Sequence, residues 1–278
     1  MMSDVRRIVI VTLICAIVLV SVLLLAWPGD AKQAARRASS VRLLVHAGAG
    51  IRPPLDEIGD LFYRKTGVRV ECNYKGSGCL LADICFAKKG DVYIPGESFY
   101  MEQAKGRELI NKCFTVAGMS TVIITQKGNP QNIRSVADLA RPGLRIGLGE
   151  YEATAAGRAA KEVLDRAKVR GQVEKNRVMS ALNVIELGNA VKLKHLDAAI
   201  VWDATAVLYE NGEVATVAIA PALSVFAPIP AGTLKFSKHP KEAARFVGFL
   251  SSPEARRIFQ RHGYSLPGAA GKGPRKKC

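Results

Sequence analysis

The chain has 278 residues, of which 49% are hydrophobic, and carries a formal net charge of +16. This apolar content is sufficient for one large or two medium-sized domains, so the bulk of the chain is not intrinsically disordered. The positive charge is divided among residues 1–40 (+3), residues 268–278 (+4) and a scattered +9 between them. Because no basic helix, zinc-finger spacing or aromatic RNA-binding motif accompanies it, the charge argues against nucleic-acid binding.

A membrane segment is predicted within residues 1–40. Arg6 and Arg7 precede an uncharged apolar run at residues 8–27, which as a helix is long enough to cross the roughly 30 Å hydrocarbon layer. Residues 29–31 offer the small side chains that a signal peptidase reads, so a removed signal peptide and a retained inner-membrane anchor both stay open. Residues 32–40 are interpreted as a short polar tether, and the chain after it is expected in the periplasm or another extracytoplasmic compartment.

Strand-like and helix-like segments alternate from residue 41 onward. Strands are predicted at residues 41–45, 68–74, 91–94, 120–125, 144–148, 198–202, 223–226 and 229–236. Helices are predicted at residues 53–63, 80–84, 99–105, 136–139 (with Ser135 as cap), 154–167, 188–194, 240–250 and 253–262, with one more after residue 202. This alternation predicts an α/β protein with mainly parallel sheets.

The loop Gly76-Ser77-Gly78-Cys79 joins a predicted strand to a predicted helix. Glycines let a backbone approach a ligand closely, and the first turn of a helix leaves N–H donors where the helix dipole favours negative charge. The same residue types also form an ordinary helix cap and turn. The loop therefore predicts either a small-anion site or a cap.

Four cysteines fall within 42 residues of the segment expected outside the cytoplasm, where disulfides persist: Cys72, Cys79, Cys85 and Cys113. Without a CxxC pair or a nearby histidine they are not expected to bind a metal ion. Cys79 and Cys85 are six residues apart on one predicted helix, too far to bridge, so two disulfides are predicted in which each pairs with Cys72 or Cys113. Cys278 is expected as a free terminal thiol.

Three further segments follow the same order along the chain. Residues 46–51 and 151–157 are two more small-residue loops before helices, and residues 198–203 form a buried strand ending in Trp202-Asp203. With Thr-Gly-Val at 66–68, Gly-Asp-Val-Tyr-Ile at 90–94, Lys-Gly-Asn-Pro at 127–130 and His-Gly-Tyr-Ser-Leu at 262–266, the chain resembles the periplasmic molybdate-binding proteins of ABC importers over residues 41–266.

The resemblance implies a type II periplasmic-binding-protein fold and a bound molybdate or tungstate, with no cofactor and no catalytic residue. Its oxyanion-binding residues, carried over to this sequence, are Gly50, Ser77, Ala156, Val184 and Trp202. Arg52 is a further candidate, because Gly50 stands where the family usually has a serine and Arg52 follows two residues later. Arg52 is alternatively a solvated cation at a helix start, and Trp202 is alternatively a core residue.

The implied organisation has one lobe at residues 41–120 plus 223–267, a second lobe at residues 121–222 and a disordered basic tail at residues 268–278. Closure would then be a hinge motion, and the partner of this monomer would be an ABC permease that recognises the closed form. Three alternatives stay open: a binding protein for sulfate or phosphate, a membrane-tethered anion sensor, and an enzyme that uses Cys79 as a nucleophile at a helix N-terminus.

Overall fold

The computed structural model describes residues 41–209 and 212–267. The predicted membrane segment at residues 8–27, its tether, the basic tail at residues 268–278 and Cys278 lie outside these residues. In the described ranges, no helix combines the length and the apolar character that crossing a bilayer requires.

In residues 41–209 and 212–267, nine strands form the sheet. They are β1 (Arg42–Gly48), β2 (Arg69–Lys75), β3 (Val92–Ile94), β4 (Ile110–Gln126), β5 (Ile146–Gly149), β6 (Arg177–Ala181), β7 (Ala198–Trp202), β8 (Val214–Ala218) and β9 (Phe226–Leu234).

Within the described residues, nine α-helices lie between and after the strands. They are α1 (Arg52–Thr66), α2 (Ser77–Ala87), α3 (Ser98–Gly106), α4 (Ala155–Arg166), α5 (Arg170–Asn176), α6 (Val184–Lys192), α7 (Asp203–Val207), α8 (Pro240–Phe249) and α9 (Pro253–Arg261). Short 3-10 helices occupy Ala49–Ile51 and Ala137–Ala140.

Strand β4 connects two halves of the sheet. The strand order is β2-β1-β3-β9-β4-β7-β5-β6, and β8 pairs separately with β4. From Ile110 to Ser120 the partner of β4 is β9, whereas from Thr121 onward its partners are β7 and β8. We call the part with β1, β2, β3 and β9 the first half-sheet and the part with β5, β6, β7 and β8 the second half-sheet.

The sheet is mixed rather than mainly parallel as predicted. Strand β1 runs parallel to β2 and β3, and β5 runs parallel to β6 and β7. The pairings of β9 with β3 and of β4 with β7, β8 and β9 are antiparallel. The parallel pairs come from the strand–helix–strand units, while β4, β8 and β9 are the strands that link the half-sheets.

The core lies on both faces of the sheet. All five residues of β7 are buried, as expected for the apolar run of a central strand. On helix α1, Leu55, Ile58 and Phe62 are buried at helical spacing, and Gly67 ends the helix in the left-handed conformation at φ 74°. Helix α1 therefore continues three residues beyond the predicted end at residue 63 and ends at Thr66.

Other elements differ from the sequence prediction. Strand β4 is 17 residues long, whereas a strand was predicted only at residues 120–125. The prediction was too short because Asn111, Lys112 and other exposed side chains interrupt the apolar pattern of the strand. Helix α5 and the partly exposed strands β6 and β8 were not predicted. Ser135 is not a cap: its hydroxyl and N–H, like the Arg134 N–H, donate to the Asp138 carboxylate before a 3-10 helix.

Candidate functional site

A small cavity lies where the two half-sheets meet. It has a volume of about 30 Å³, measured as the space open to the centre of a water-sized sphere. This is two to three times the minimum of roughly 10–15 Å³ that one water needs. The first half-sheet contributes the loop after β1, Lys75 to Ser77 and Gly96; the second contributes Ala155, Ala156, Asn183, Val184 and Trp202, and Met119 lies on β4.

Five of the six predicted site residues line this cavity: Gly50, Ser77, Ala156, Val184 and Trp202. Residues separated by up to 152 positions in the sequence are therefore brought together. Arg52 does not line it. Its side chain is exposed and its guanidinium carbon lies 4.6 Å from the ring centroid of Tyr74, an arrangement that matches the solvated-cation alternative.

Three helices begin at the cavity wall. Ser77 is the first residue of α2, Ala155 and Ala156 open α4, and Val184 opens α6. The N–H groups of a first helical turn have no acceptor within the helix, and the helix dipole places partial positive charge there. Three such ends at one cavity give its wall a partial positive potential that comes from the backbone and does not depend on a cationic side chain.

The caps of α4 and α6 leave the first N–H groups of these helices available. The Thr154 hydroxyl accepts from the N–H of Gly157, two residues after Ala155, at 2.9 Å. The Asn183 side chain accepts from the N–H groups of Ile185 and Glu186, which follow Val184. Both caps therefore bind donors that lie beyond the cavity-lining residues and fix the helix ends in place.

Ser77 is not the cap of α2. Gly76 occupies the cap position, and no side chain caps the helix there. The Ser77 hydroxyl instead accepts from the N–H of Gly96 at 3.0 Å, while its carbonyl accepts from the Tyr93 hydroxyl at 2.8 Å. A hydroxyl that accepts in this way keeps its own proton to donate. The cap interpretation of this serine is therefore wrong, and its O–H is available at the cavity.

The loop after β1 is held from the C-terminal segment. The hydroxyl of buried Tyr264 donates to the carbonyl of Gly50 at 2.7 Å. Ser265 pairs with Gly118 of β4, which fixes the position of Tyr264. This contact orients the peptide at residue 50 and explains why the closing motif at residues 262–266 matters for a site formed far away in sequence.

Trp202 and Lys75 complete the wall with different chemistry. Trp202 is 2% exposed and ends the central strand β7, so it is both a core residue and a cavity-lining one. Lys75, which the sequence analysis did not identify, is the charged residue of the wall, but its ammonium pairs with Asp83 at 2.6 Å. Gly96, Met119 and Asn183 were also missed, because nothing in their local sequence marks them.

Three other polar residues, His46, Asp91 and Asp203, have structural roles. His46 is buried, its Nε2 lies 3.0 Å from the Lys89 carbonyl, and burial lowers its pKa. The carboxylate of Asp91 accepts from the Leu44 N–H at 2.8 Å and from the Ser237 hydroxyl at 2.6 Å. Asp203 accepts from the Ala204 N–H at 2.7 Å, and burial raises its pKa.

Direct contacts hold the two half-sheets together beside the cavity. The N–H of Gly78 donates to the Ala153 carbonyl at 2.9 Å, and the Tyr100 hydroxyl donates to the Glu152 carbonyl at 3.0 Å. Glu97, which is 9% exposed, accepts from Arg158 Nε at 2.8 Å. Burial raises the pKa of Glu97 to about 7, although the guanidinium opposes the shift. These contacts close one side of the site.

The predicted disulfides are not formed. Cys72, Cys79, Cys85 and Cys113 are all thiols in the structure. Cys72 lies on the side of β2 that faces α1. Residues two apart on a strand face the same side, and Tyr74, two residues later, donates its hydroxyl proton to Asp56 of α1. Cys79 and Cys85 belong to α2, which lies on the other side of β2, because Lys75 pairs with Asp83 of α2 and alternate residues of a strand face opposite sides; the sheet therefore separates both from Cys72. Cys79 does not line the cavity.

Comparison with known proteins gives a consistent result. The family described as bacterial extracellular solute-binding protein matches residues 43–265. The molybdate-binding protein ModA of Mycobacterium tuberculosis is 27% identical over 227 residues, which cover 81% of this chain and 85% of that protein.

Two solved structures share the fold at lower identity. The periplasmic molybdate-binding protein of Azotobacter vinelandii has a TM-score of 0.72 at 18% identity, covering 81% of this chain and 99% of that one. The sulfate-binding protein SubI of Mycobacterium tuberculosis has a TM-score of 0.72 at 17% identity, covering 83% and 88%. The predicted α/β type II periplasmic-binding-protein fold is thus confirmed, and the family match over most of the sequence shows that this chain belongs to the bacterial extracellular solute-binding proteins.

Proposed function

We propose that the chain captures a tetrahedral oxyanion, molybdate or tungstate, in the cavity between the half-sheets and delivers it to an ABC importer. One observation carries this proposal: the first turns of α2, α4 and α6 and the hydroxyl of Ser77 all meet at a single small cavity. Helix N-termini are the common protein solution for binding oxyanions.

The charge and size of the site support a small anion over other solutes. The ammonium of Lys75 is already paired with Asp83, so the wall offers neutral donors rather than a free cation. Neutral N–H and O–H donors suit a fully ionised oxyanion, because each of its oxygens accepts hydrogen bonds and carries no proton to donate. A cavity of about 30 Å³ leaves little room for a sugar or a peptide.

The identity of the anion is the finer part of the proposal. The ModA relative, at 27% identity, supports molybdate or tungstate. The structural likeness to SubI keeps sulfate as the second candidate, with phosphate as a third small anion. A membrane-tethered anion sensor would use the same cavity and would differ from an importer component in its protein partner.

The mechanism of capture follows from the division at β4. We place the lobes at residues 41–120 plus 223–267 and at residues 121–222, because β4 changes partner between Ser120 and Thr121. The chain crosses between them twice, so the lobes can open and close about these crossings as a hinge. Anion bound between the lobes stabilises the closed form, which the permease recognises, and no catalytic step is required.

A panel of oxyanions tests the ligand. Saturation at a hundredfold Kd adds about 2.7 kcal/mol of stability, so molybdate and tungstate are expected to raise the melting temperature clearly more than sulfate or phosphate. Equal shifts from sulfate identify a sulfate-binding protein instead, and no shift from any tetrahedral oxyanion refutes anion capture.

Val184→Pro tests whether backbone donors bind the anion. Val184 is the first residue of α6, where proline is tolerated, and Asn183 has the extended conformation (φ −152°, ψ 161°) that suits a residue before proline. The variant keeps the helix and removes one N–H, so molybdate affinity is expected to fall about 10- to 150-fold, which corresponds to roughly 1.5–3 kcal/mol. The control Val184→Ala trims the side chain, keeps the N–H and is expected to bind with nearly parental affinity.

A further inference from the structure

The hydroxyl of Thr205 is buried without a hydrogen-bond partner. Thr205 lies in α7 and is 1% exposed, and its Oγ1 contacts no donor or acceptor among residues 41–209 and 212–267. Three other buried threonines behave differently: the hydroxyls of Thr121, Thr125 and Thr154 all have partners. Because an unpaired buried hydroxyl is costly, this one requires an explanation.

The hydroxyl lies next to two residues of the cavity wall. A Cβ placed on Gly50 would be 3.4 Å from Thr205 Oγ1 and 3.0 Å from a methyl carbon of Val184. Gly50 and Val184 both line the cavity. Since glycine supplies no side chain, the space at residue 50 is bordered by the hydroxyl of Thr205.

We propose that Thr205 Oγ1 is an additional hydrogen-bond donor to the bound oxyanion, reaching it through the space that Gly50 leaves without a side chain. The inference deepens the proposed function and depends on it, because the hydroxyl acquires its partner only when the anion is bound. Thr205 comes from the second half-sheet side of the site, so this bond would add to those that favour the closed form.

The position also explains why residue 50 lacks a side chain. Thr205 itself does not line the ligand-free cavity. A Cβ on residue 50 would lie 3.0 Å from the Val184 methyl and 3.4 Å from the Thr205 hydroxyl, and so would occupy the space through which that hydroxyl reaches the anion. In this arrangement Gly50 gives access and Thr205 gives the donor. The two residues therefore act as one unit in anion binding.

The matched variants Thr205→Val and Thr205→Ser test the inference, with sodium molybdate as the probe. Valine has nearly the shape of threonine without the hydroxyl, so molybdate Kd is expected to rise at least tenfold, while the ligand-free melting temperature stays equal or increases because a buried unpaired group is removed. Serine retains the hydroxyl and is expected to bind within threefold of the parent.

The outcomes separate this inference from the proposed function. If the parent protein binds none of the oxyanions, the proposed function fails. If the parent binds molybdate and Thr205→Val binds it within twofold, the Thr205 inference is overturned. A lowered ligand-free melting temperature in Thr205→Val also overturns it, because the hydroxyl would then have a structural partner. In a double-mutant cycle, Gly50→Ala is expected to weaken binding in the parent and to add little in Thr205→Val.

Discussion

A substitution at Gly76 is expected to block the proposed closure of the two half-sheets without disturbing the fold of either. A Cβ on Gly76 would lie 2.8 Å from the carbonyl oxygen of Ala153 and closer still to that of Leu182, and both belong to the opposite side of the site. The backbone of Gly76 (φ −63°, ψ 146°) is one that alanine adopts without strain. Gly76→Ala therefore conflicts with the contact across the cleft and not with local conformation.

The size of the effect follows from the contacts beside the cavity. Relieving the overlap to an ordinary distance of 3.4 Å moves the two sides apart by at least 0.6 Å. The Gly78 N–H to Ala153 bond of 2.9 Å and the Tyr100 to Glu152 bond of 3.0 Å would then exceed the usual 3.2 Å limit. At roughly 0.5–1.5 kcal/mol each, their loss disfavours closure by about 1–3 kcal/mol, or about 5- to 150-fold in molybdate Kd.

Calorimetric titration with molybdate, together with small-angle scattering, measures both consequences. We expect Gly76→Ala to remain folded, to bind more weakly and to show less compaction on ligand addition than the parent. Gly248→Ala on α8 is the matched control, because a Cβ there meets nothing within 4 Å. Gly76→Ala with affinity and compaction equal to those of Gly248→Ala would refute the argument that this surface must close around the ligand.

Three other perturbations have defined outcomes. Ser77→Ala removes the proposed donor, so calorimetry is expected to give a molybdate Kd about 10- to 150-fold higher. The same change leaves the Gly96 N–H unpaired, which is expected to lower the free energy of unfolding by about 1–3 kcal/mol. Unchanged affinity would exclude the hydroxyl from binding. Because burial raises the pKa of Glu97 from 4.5 to about 7, the folded protein holds this proton more tightly, so its contribution to stability is present below pH 4.5 and is lost as the pH rises through 7. The free energy of unfolding of Glu97→Gln, measured with urea, is expected to rise relative to that of the parent by up to about 3 kcal/mol between pH 4.5 and 8. A difference between the two proteins that does not change with pH would contradict the raised pKa of Glu97. Alkylation in denaturant without reductant is expected to label Cys72, Cys79, Cys85 and Cys113. Protection of any two of them would instead indicate that they form a disulfide.

The sequence by itself determined the order of most elements and the loops that carry the site. Periodic apolar residues predicted β1, β7 and α1, because their burial depends on local spacing that the fold only has to accommodate. The strand ending in Trp202 was recognisable as a short apolar run. The loops before α2 and α4 were recognisable by their small residues, because a tight approach of the backbone requires small residues at fixed positions. Five cavity-lining residues were predicted before any geometry was known, because the resemblance to the molybdate-binding family carried them over to this sequence.

Tertiary structure decided what those local patterns could not express. The position of Arg52 on Tyr74, the pairing of Lys75 with Asp83 and the acceptance of the Gly96 N–H by Ser77 all depend on where side chains from distant segments meet. The sheet that separates Cys72 from α2 removed the predicted disulfides, although compartment and spacing favoured them. Thr205 is the clearest case: a threonine in a short helix has no distinctive sequence signal, and only the packing of α7 beside Gly50 makes its hydroxyl a candidate for function.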